Sequence, residues 1–274
     1  MHDLINSPLG QRSIYTAHYD ESLLFPISRQ PKRDSINVSK TLPFKGYDIW
    51  TAFELSWLNE KCKPVVAIAD IIIPCDSPNL IESKSLKLYL NSFNNTLFAS
   101  TEVVGEIIKR DLSKAAGLPV DVIIYPAQDF SNSQIGCFEG FYLDELDVAC
   151  SEHKVNAELL LSNDERVENF TVYSHLLKSN CPVTGQPDWG SISISYSGFR
   201  INNESLLQYL VSFRNHNEFH EQCVERIFMD ITAHCKPEEL TVYARYTRRG
   251  GLDINPIRSS KPLMPPQNAR LYRQ

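Results

Sequence analysis

The sequence has no run of 18 apolar residues, so it offers no candidate for a membrane-crossing helix. Its N-terminus, "MHDLINSPLG", lacks a basic stretch followed by an apolar one, and no secretory signal peptide is expected. Positive charge is not in excess. Lys and Arg number 27 against 33 Asp and Glu, a net charge of −6. That balance argues against a general nucleic-acid binder and suits a soluble protein with a small-molecule ligand. No G-x-G-x-x-G occurs, which leaves a Rossmann cofactor site unsupported. No paired C-x-x-C occurs either. The seven cysteines, Cys62, Cys75, Cys137, Cys150, Cys181, Cys223 and Cys235, are odd in number and scattered. Free thiols in a reducing, cytoplasmic compartment follow from that usage, and each thiol is first a small buried hydrophobe.

What is present is patterned. With 274 residues, 42% of them hydrophobic, the chain is long enough for one large domain or two of ordinary size. Residues 1–45 are polar and turn-rich and read as an arm. Two segments, 47–58 and 64–74, read as strands because β-branched and aromatic residues dominate them. Segment 83–100 spaces Leu86, Leu90, Phe93 and Leu97 as a helix, and 101–118 reads as a second helix closing near Gly117. Segment 119–127 returns to strand. The order then repeats: strands over 168–177 and 190–201, helices over 203–216 and 218–235, and a strand over 239–250. "SLKLYLNSFNN" (85–95) and "SLLQYLVSFRN" (205–215) lie 120 positions apart and share seven of eleven residues. A duplicated α+β unit is expected, with an arm over 1–45, a first copy over 46–150 and a second over 151–274. The period is far too long for a solenoid.

The copies differ where chemistry would be. At the 120-residue offset Lys61 stands opposite Cys181 and Ile68 opposite Asp188. Reactive residue types split between the halves are explained by an active site assembled from both. Cys181 sits between two expected strands in "SNCPVTGQPDWG" (179–190), where a rigid sheet would present it. A thiolate is a strong nucleophile once a neighbour takes its proton, and Asp188 and His220 are the candidate neighbours. The plainer alternative is a buried thiol beside a solvated turn. His220 and Glu221 begin a long helix, and a carboxylate at Glu221 or Glu82 suits the N–H edge of a purine-like ring. Cys181, His220 and Cys223 could instead form a zinc set, although Cys223 also fits the apolar stripe of its helix. Ser83, Lys84 and Lys87 at a helix start, and Arg245, Arg248 and Arg249 ahead of two glycines, suit phosphates.

Four stretches together resemble one family: "ESKSLKLYLNSFN" (82–94), "SNCPVTGQPDWG" (179–190), "SFRNHNEFHE" (212–221) and "YTRRGGLDINP" (246–256). The chain resembles the NADPH-dependent 7-cyano-7-deazaguanine reductases, the nitrile reductases of queuosine biosynthesis, in their longer, duplicated form. The resemblance implies a tunnelling fold, shared with zinc-dependent GTP cyclohydrolases, in two tandem copies. It implies that Cys181 attacks the nitrile to give a covalent thioimide, with Asp188 as proton donor and His220 beside it. Two NADPH would then reduce the group to the amine of 7-aminomethyl-7-deazaguanine. It assigns Ile81, Glu82, Ser83, His220 and Glu221 to the ring, and Ser83, Lys84, Arg249 and Gly250 to NADPH. No metal, nucleic-acid or membrane partner is implied, and a homodimer is expected. Two rivals are a zinc-dependent cyclohydrolase of the same fold and a thiol hydrolase that adds water to the nitrile.

Overall fold

The computed structural model describes residues 15–16, 18–127, 135–266 and 268–274. Most of the N-terminal stretch read for a signal peptide, and of the start of the expected arm, lies outside them. Elements follow in the order β1 (Pro26–Ser28), α1 (Gln30–Ser35), β2 (Lys45–Leu58), β3 (Pro64–Pro74), β4 (Asn79–Ile81), α2 (Ser83–Asn91), α3 (Thr101–Ala116), β5 (Asp121–Pro126), β6 (Phe141–Tyr142), β7 (Ser162–Asn180), β8 (Pro187–Ile201), α4 (Asn203–Ser212), α5 (His220–Cys235), β9 (Glu239–Tyr246) and β10 (Leu252–Ser259). The class is α+β. The chain divides into two compact units. One comprises Met1–Pro31, Asp48–Gln134 and Arg248–Asp253; the other comprises Lys32–Tyr47, Ile135–Thr247 and Ile254–Gln274.

In the first unit β5, β3 and β2 are neighbours in one sheet, and β1 pairs antiparallel with β4. Strand β3 alternates: Ala67, Ala69, Ile71 and Ile73 are buried on one face. Helix α3 lies against β4 and β5 and buries Val104, Ile108 and Leu112 at helical spacing. Ser100, one residue before the start, caps it by accepting from the amide of Val103. Gly117 ends it in the left-handed conformation, φ 84°.

In the second unit the sheet order is β10-β9-β8-β7-β6, antiparallel except for the β6–β7 pair. Helix α5 packs on β9 and β8 with Cys223, Val224, Ile227, Phe228 and Ile231 buried. The same hydrogen bonds recur in both units, with Ser85, Tyr89 and Ser92 lying 120 residues before Ser205, Tyr209 and Ser212. Ser85 Oγ donates to Glu82 O at 2.7 Å, and Ser205 Oγ to Asn202 O at 2.9 Å. Tyr89 OH donates to Asp111 at 2.7 Å, and Tyr209 OH to Asp230 at 2.7 Å. Ser92 and Ser212 each donate to the carbonyl of their tyrosine at 2.6 Å. The amides of Phe25 and Leu161 donate to Ser85 and Ser205. Residues shared between "SLKLYLNSFNN" and "SLLQYLVSFRN" are therefore the ones that carry these bonds.

The structure departs from the sequence reading in three places. Helix α2 stops at Asn91, because Ser92 turns back on Tyr89 and Thr96 and Phe98 bond the backbone of Leu58 instead. Residues 26–35, read within an arm, form β1 and α1. Strand β10 was not expected at all: it contains Pro256, Asp253, Asn255 and Arg258, yet all eight of its residues are buried.

Candidate active site

The nucleophile candidate lies in the second unit. Strands β7 and β8 form a hairpin whose last pairs are Ser179 with Asp188 and Asn180 with Pro187. The loop 181–186 is held at its neck: Cys181 N donates to Gln186 O at 2.8 Å, and Gly185 N to Cys181 O at 3.0 Å. Cys181 is 2% exposed, so the loop presents its thiol inward. Asp188 stands on β8, directly across from Ser179, and is buried. His220, the first residue of α5, points Nε2 at Asp188 Oδ1 from 3.8 Å. Its imidazole meets the ring of Tyr246 edge-on, with 4.0 Å between centroids. Glu221 beside it is buried. Cys181, Asp188, His220 and Glu221 thus all belong to one unit, with Asp188 and His220 side by side.

Beneath them lies a buried polar cluster. The thiol of Cys223 sits beside the hydroxyls of Ser179 and Tyr246. Burial, and then the charge of Glu218, pushes the Cys223 thiol well above its ordinary value. Cys223 is therefore a core thiol, on the apolar stripe of α5. Among the described residues no group of three or more His, Cys, Asp and Glu is placed to hold a metal ion, so the zinc set of Cys181, His220 and Cys223 is not assembled there.

Ile81, Glu82, Ser83 and Lys84 belong to the first unit. Ile81 is the buried last residue of β4. Glu82 is fully buried and caps α2: its carboxylate accepts from the amides of Lys84 and Ser85, each at 2.8 Å. Burial raises its pKa and those two amides pull it back. The amides that a phosphate at this helix start would need are therefore taken by Glu82. The turn after β9 closes by Arg249 N donating to Leu252 O at 2.8 Å, with Gly250 at φ 62° and Gly251 at φ 78°. A Cβ on Gly250 would come within 2.9 Å of Lys87 Nζ, which puts this turn against α2. Arg248 lies over the ring of Phe53 at 4.4 Å. Arg245, by contrast, is buried in the second unit and bonded to Gln274 and Asn268, which makes it part of the core.

Bridges at the hairpin ends refine the comparison of the halves. Leu58 pairs with Leu97, and Asn180 with Asn217. That places Asn59, not Lys61, opposite Cys181, and, since Asn59 N donates to Lys63 O as Cys181 N does to Gln186 O, Val65 opposite Asp188. Asn59 Oδ1 accepts from the amides of Lys61 and Lys63, each at 3.0 Å, and so closes the first-unit loop with a side chain.

Near full-length relatives share this whole arrangement of sequence. A protein of Polaromonas sp. is 58% identical over 98% of both chains, one of Cupriavidus taiwanensis 57% over 98%, and one of Ralstonia nicotianae 56% over 98%. All three are named NADPH-dependent 7-cyano-7-deazaguanine reductase. The chain belongs to the 7-cyano-7-deazaguanine reductase family. The family model described as nitrile reductase, 7-cyano-7-deazaguanine-reductase N-term, matches residues 15–124, and that of the QueF-like protein matches 187–263. Among solved structures, the apo archaeosine synthase QueF-Like matches 38% of this chain and 96% of its own at 18% identity and TM-score 0.31. Spacing and composition mark none of Ser179, Glu218 and Tyr246, because each is defined by what it packs against.

Proposed function

We propose that this chain reduces the nitrile of 7-cyano-7-deazaguanine to a primary amine with NADPH, and that Cys181 is the nucleophile. Family membership supports the reaction, and the Asp188–His220 pair beside the Cys181 hairpin is the observation that carries the mechanism. The Cys181 sulfur adds to the nitrile carbon and its proton passes to nitrogen, which gives a thioimide. Asp188 moves that proton, with His220 placed to share it. Bound NADPH supplies hydride, two equivalents per nitrile. Sulfur leaves between the two reductions, so one nitrile, two NADPH and two protons give one amine and two NADP⁺. The burial of Cys181 itself, 2% exposed, is what would keep the thioimide and the imine from water.

Glu82 and Glu221 accept from the N–H edge of the ring, with Ile81, Ser83 and His220 beside it. Glu82 has support of its own. At the matching position in the second unit Asn202 caps α4, accepting from Ser205 N at 2.9 Å, so capping alone needs no carboxylate. Side chains of the first unit fit the phosphates of NADPH: Ser83 and Lys84 on α2, and exposed Arg249 beside Gly250. We further propose that the two units are tandem copies of a tunnelling fold, supported by the recurring hydrogen bonds, and that the chain works as a homodimer in the cytoplasm. All seven cysteines are free, which fits a reducing compartment. Mass spectrometry with the nitrile alone tests the mechanism. One full ligand mass is expected on the peptide carrying Cys181, and none in Cys181→Ala. An adduct on another cysteine, or turnover in Cys181→Ala, overturns it.

A further inference from the structure

We propose that Glu218 is a positioning residue, whose clamped carboxylate sets the spacing between the Cys181 loop and the start of α5. The proposal rests on the reaction proposed above. Glu218 is 1% exposed, yet two cationic side chains and an imidazole converge on it. Lys32 Nζ reaches Oε1 at 2.5 Å, and Arg226 reaches the same oxygen through Nη2 at 2.6 Å. Arg226 Nε lies 3.1 Å from both oxygens, and His216 Nε2 lies 2.9 Å from Oε2. The backbone of the same segment reaches the other way. Asn180 N donates to His216 O at 2.8 Å, and Glu218 N donates to Asn180 O at 3.2 Å. Asn180 directly precedes Cys181, and Glu218 lies two residues before His220. Segment 216–218 is therefore a splint between nucleophile and helix.

The first unit supplies an internal comparison. There Leu58 N donates to Thr96 O at 3.0 Å and Phe98 N to Leu58 O at 2.9 Å, the same splint. The residue matching Glu218 is Phe98, whose ring stacks on Phe93 with 5.1 Å between centroids. A splint of this shape thus holds without any charge. The charged clamp occurs in the unit that carries the thiol, where small displacements cost rate. Its carboxylate faces Lys32 from α1, Arg226 from α5 and His216 from its own segment, with Asp230, Tyr209 and Cys223 near enough to feel its charge. Helix α5 has a second anchor one turn on: Glu225 takes Arg33 at 2.6 Å and Arg258 at 2.9 Å. Loss of the Glu218 charge should therefore shift the start of the helix without releasing the helix.

The test measures the rate of adduct formation with 7-cyano-7-deazaguanine alone, together with Tm and the KM for NADPH, in Glu218→Gln and Lys32→Ala. Glu218→Gln is expected to slow adduct formation about tenfold or more. Lys32→Ala, which leaves Arg226 and His216 in place, should slow it less. The KM for NADPH should stay as it is in both. Unchanged adduct rates in the folded variants, or a rate loss that only follows a fall in Tm, would overturn the proposal. If Glu218→Gln does not fold, Lys32→Ala decides alone by the same criteria. If the unaltered protein forms no adduct, the reaction itself fails and the proposal falls with it.

Discussion

Two carboxylates show how one residue can serve a fold and a reaction separately. Glu82 caps α2 through both oxygens, and Asn202 does the matching work on α4 with one. Glu82→Asn therefore separates the roles. It should keep the cap, with Tm close to that of the unaltered chain, and lose ring affinity by about tenfold or more, since a charge-assisted bond is removed. Ligand binding by calorimetry, set beside a melting curve, checks this. A large fall in Tm with affinity intact would mean that Glu82 is structural. Asp188→Asn keeps the shape beside His220 and removes the proton function, so turnover should fall by roughly 10²-fold or more. Near-normal turnover across the pH range would reduce Asp188 to a strand residue. At this scale the sequence marked Cys181 and Asp188 by the turn residues of their hairpin, and the structure puts both, with His220, in one unit. Glu218, Ser179 and Tyr246 were silent, because their meaning comes from neighbours on other segments, such as Asn180 for Glu218 and Cys223 for Ser179 and Tyr246.

Elements were read best where their apolar period was clean. Strand β3 and helix α3 lie where alternation and caps put them. Helix α2 was read nine residues too long, since Phe93 and Leu97 continue the period after the backbone has turned. Strand β10 was invisible because its polar residues are buried with partners, Asp253 with Thr51 N and Arg258 with Glu225, and no window of sequence shows that. Helix α5 carries a pH consequence. Burial alone would raise the Glu218 carboxyl, but His216 and Arg226 hold it at about 2 against an ordinary 4.5. A depressed folded pKa means that the unfolded chain takes the proton first as pH falls. The stability this group contributes is complete above about 4.5 and is lost as pH falls towards 2. Acid unfolding followed by circular dichroism should show it, and Glu218→Gln should flatten the dependence in that window. The same slope in both proteins would remove Glu218 as its source.

Across the whole molecule the likeness of the two units was legible in seven shared residues, and three of them, Ser85, Tyr89 and Ser92 with their counterparts, make the recurring hydrogen bonds. The division of labour can be tested on the same footing. Lys84→Ala and Arg249→Ala should still form the Cys181 adduct from the nitrile alone and should raise the KM for NADPH, because a charge-assisted phosphate contact is gone. Loss of the adduct in Lys84→Ala would move that residue from cofactor to substrate. The hairpin loops of the two units also differ in what they show to solvent. Cys62, in the first-unit loop, is exposed at φ 58°, and Cys137 is exposed as well, whereas Cys181 is shielded. An indiscriminate alkylating reagent should consequently meet Cys62 and Cys137 first, so protein briefly capped at those two thiols should keep its turnover. Selectivity of the nitrile for Cys181 would then measure molecular recognition, free of any contribution from accessibility.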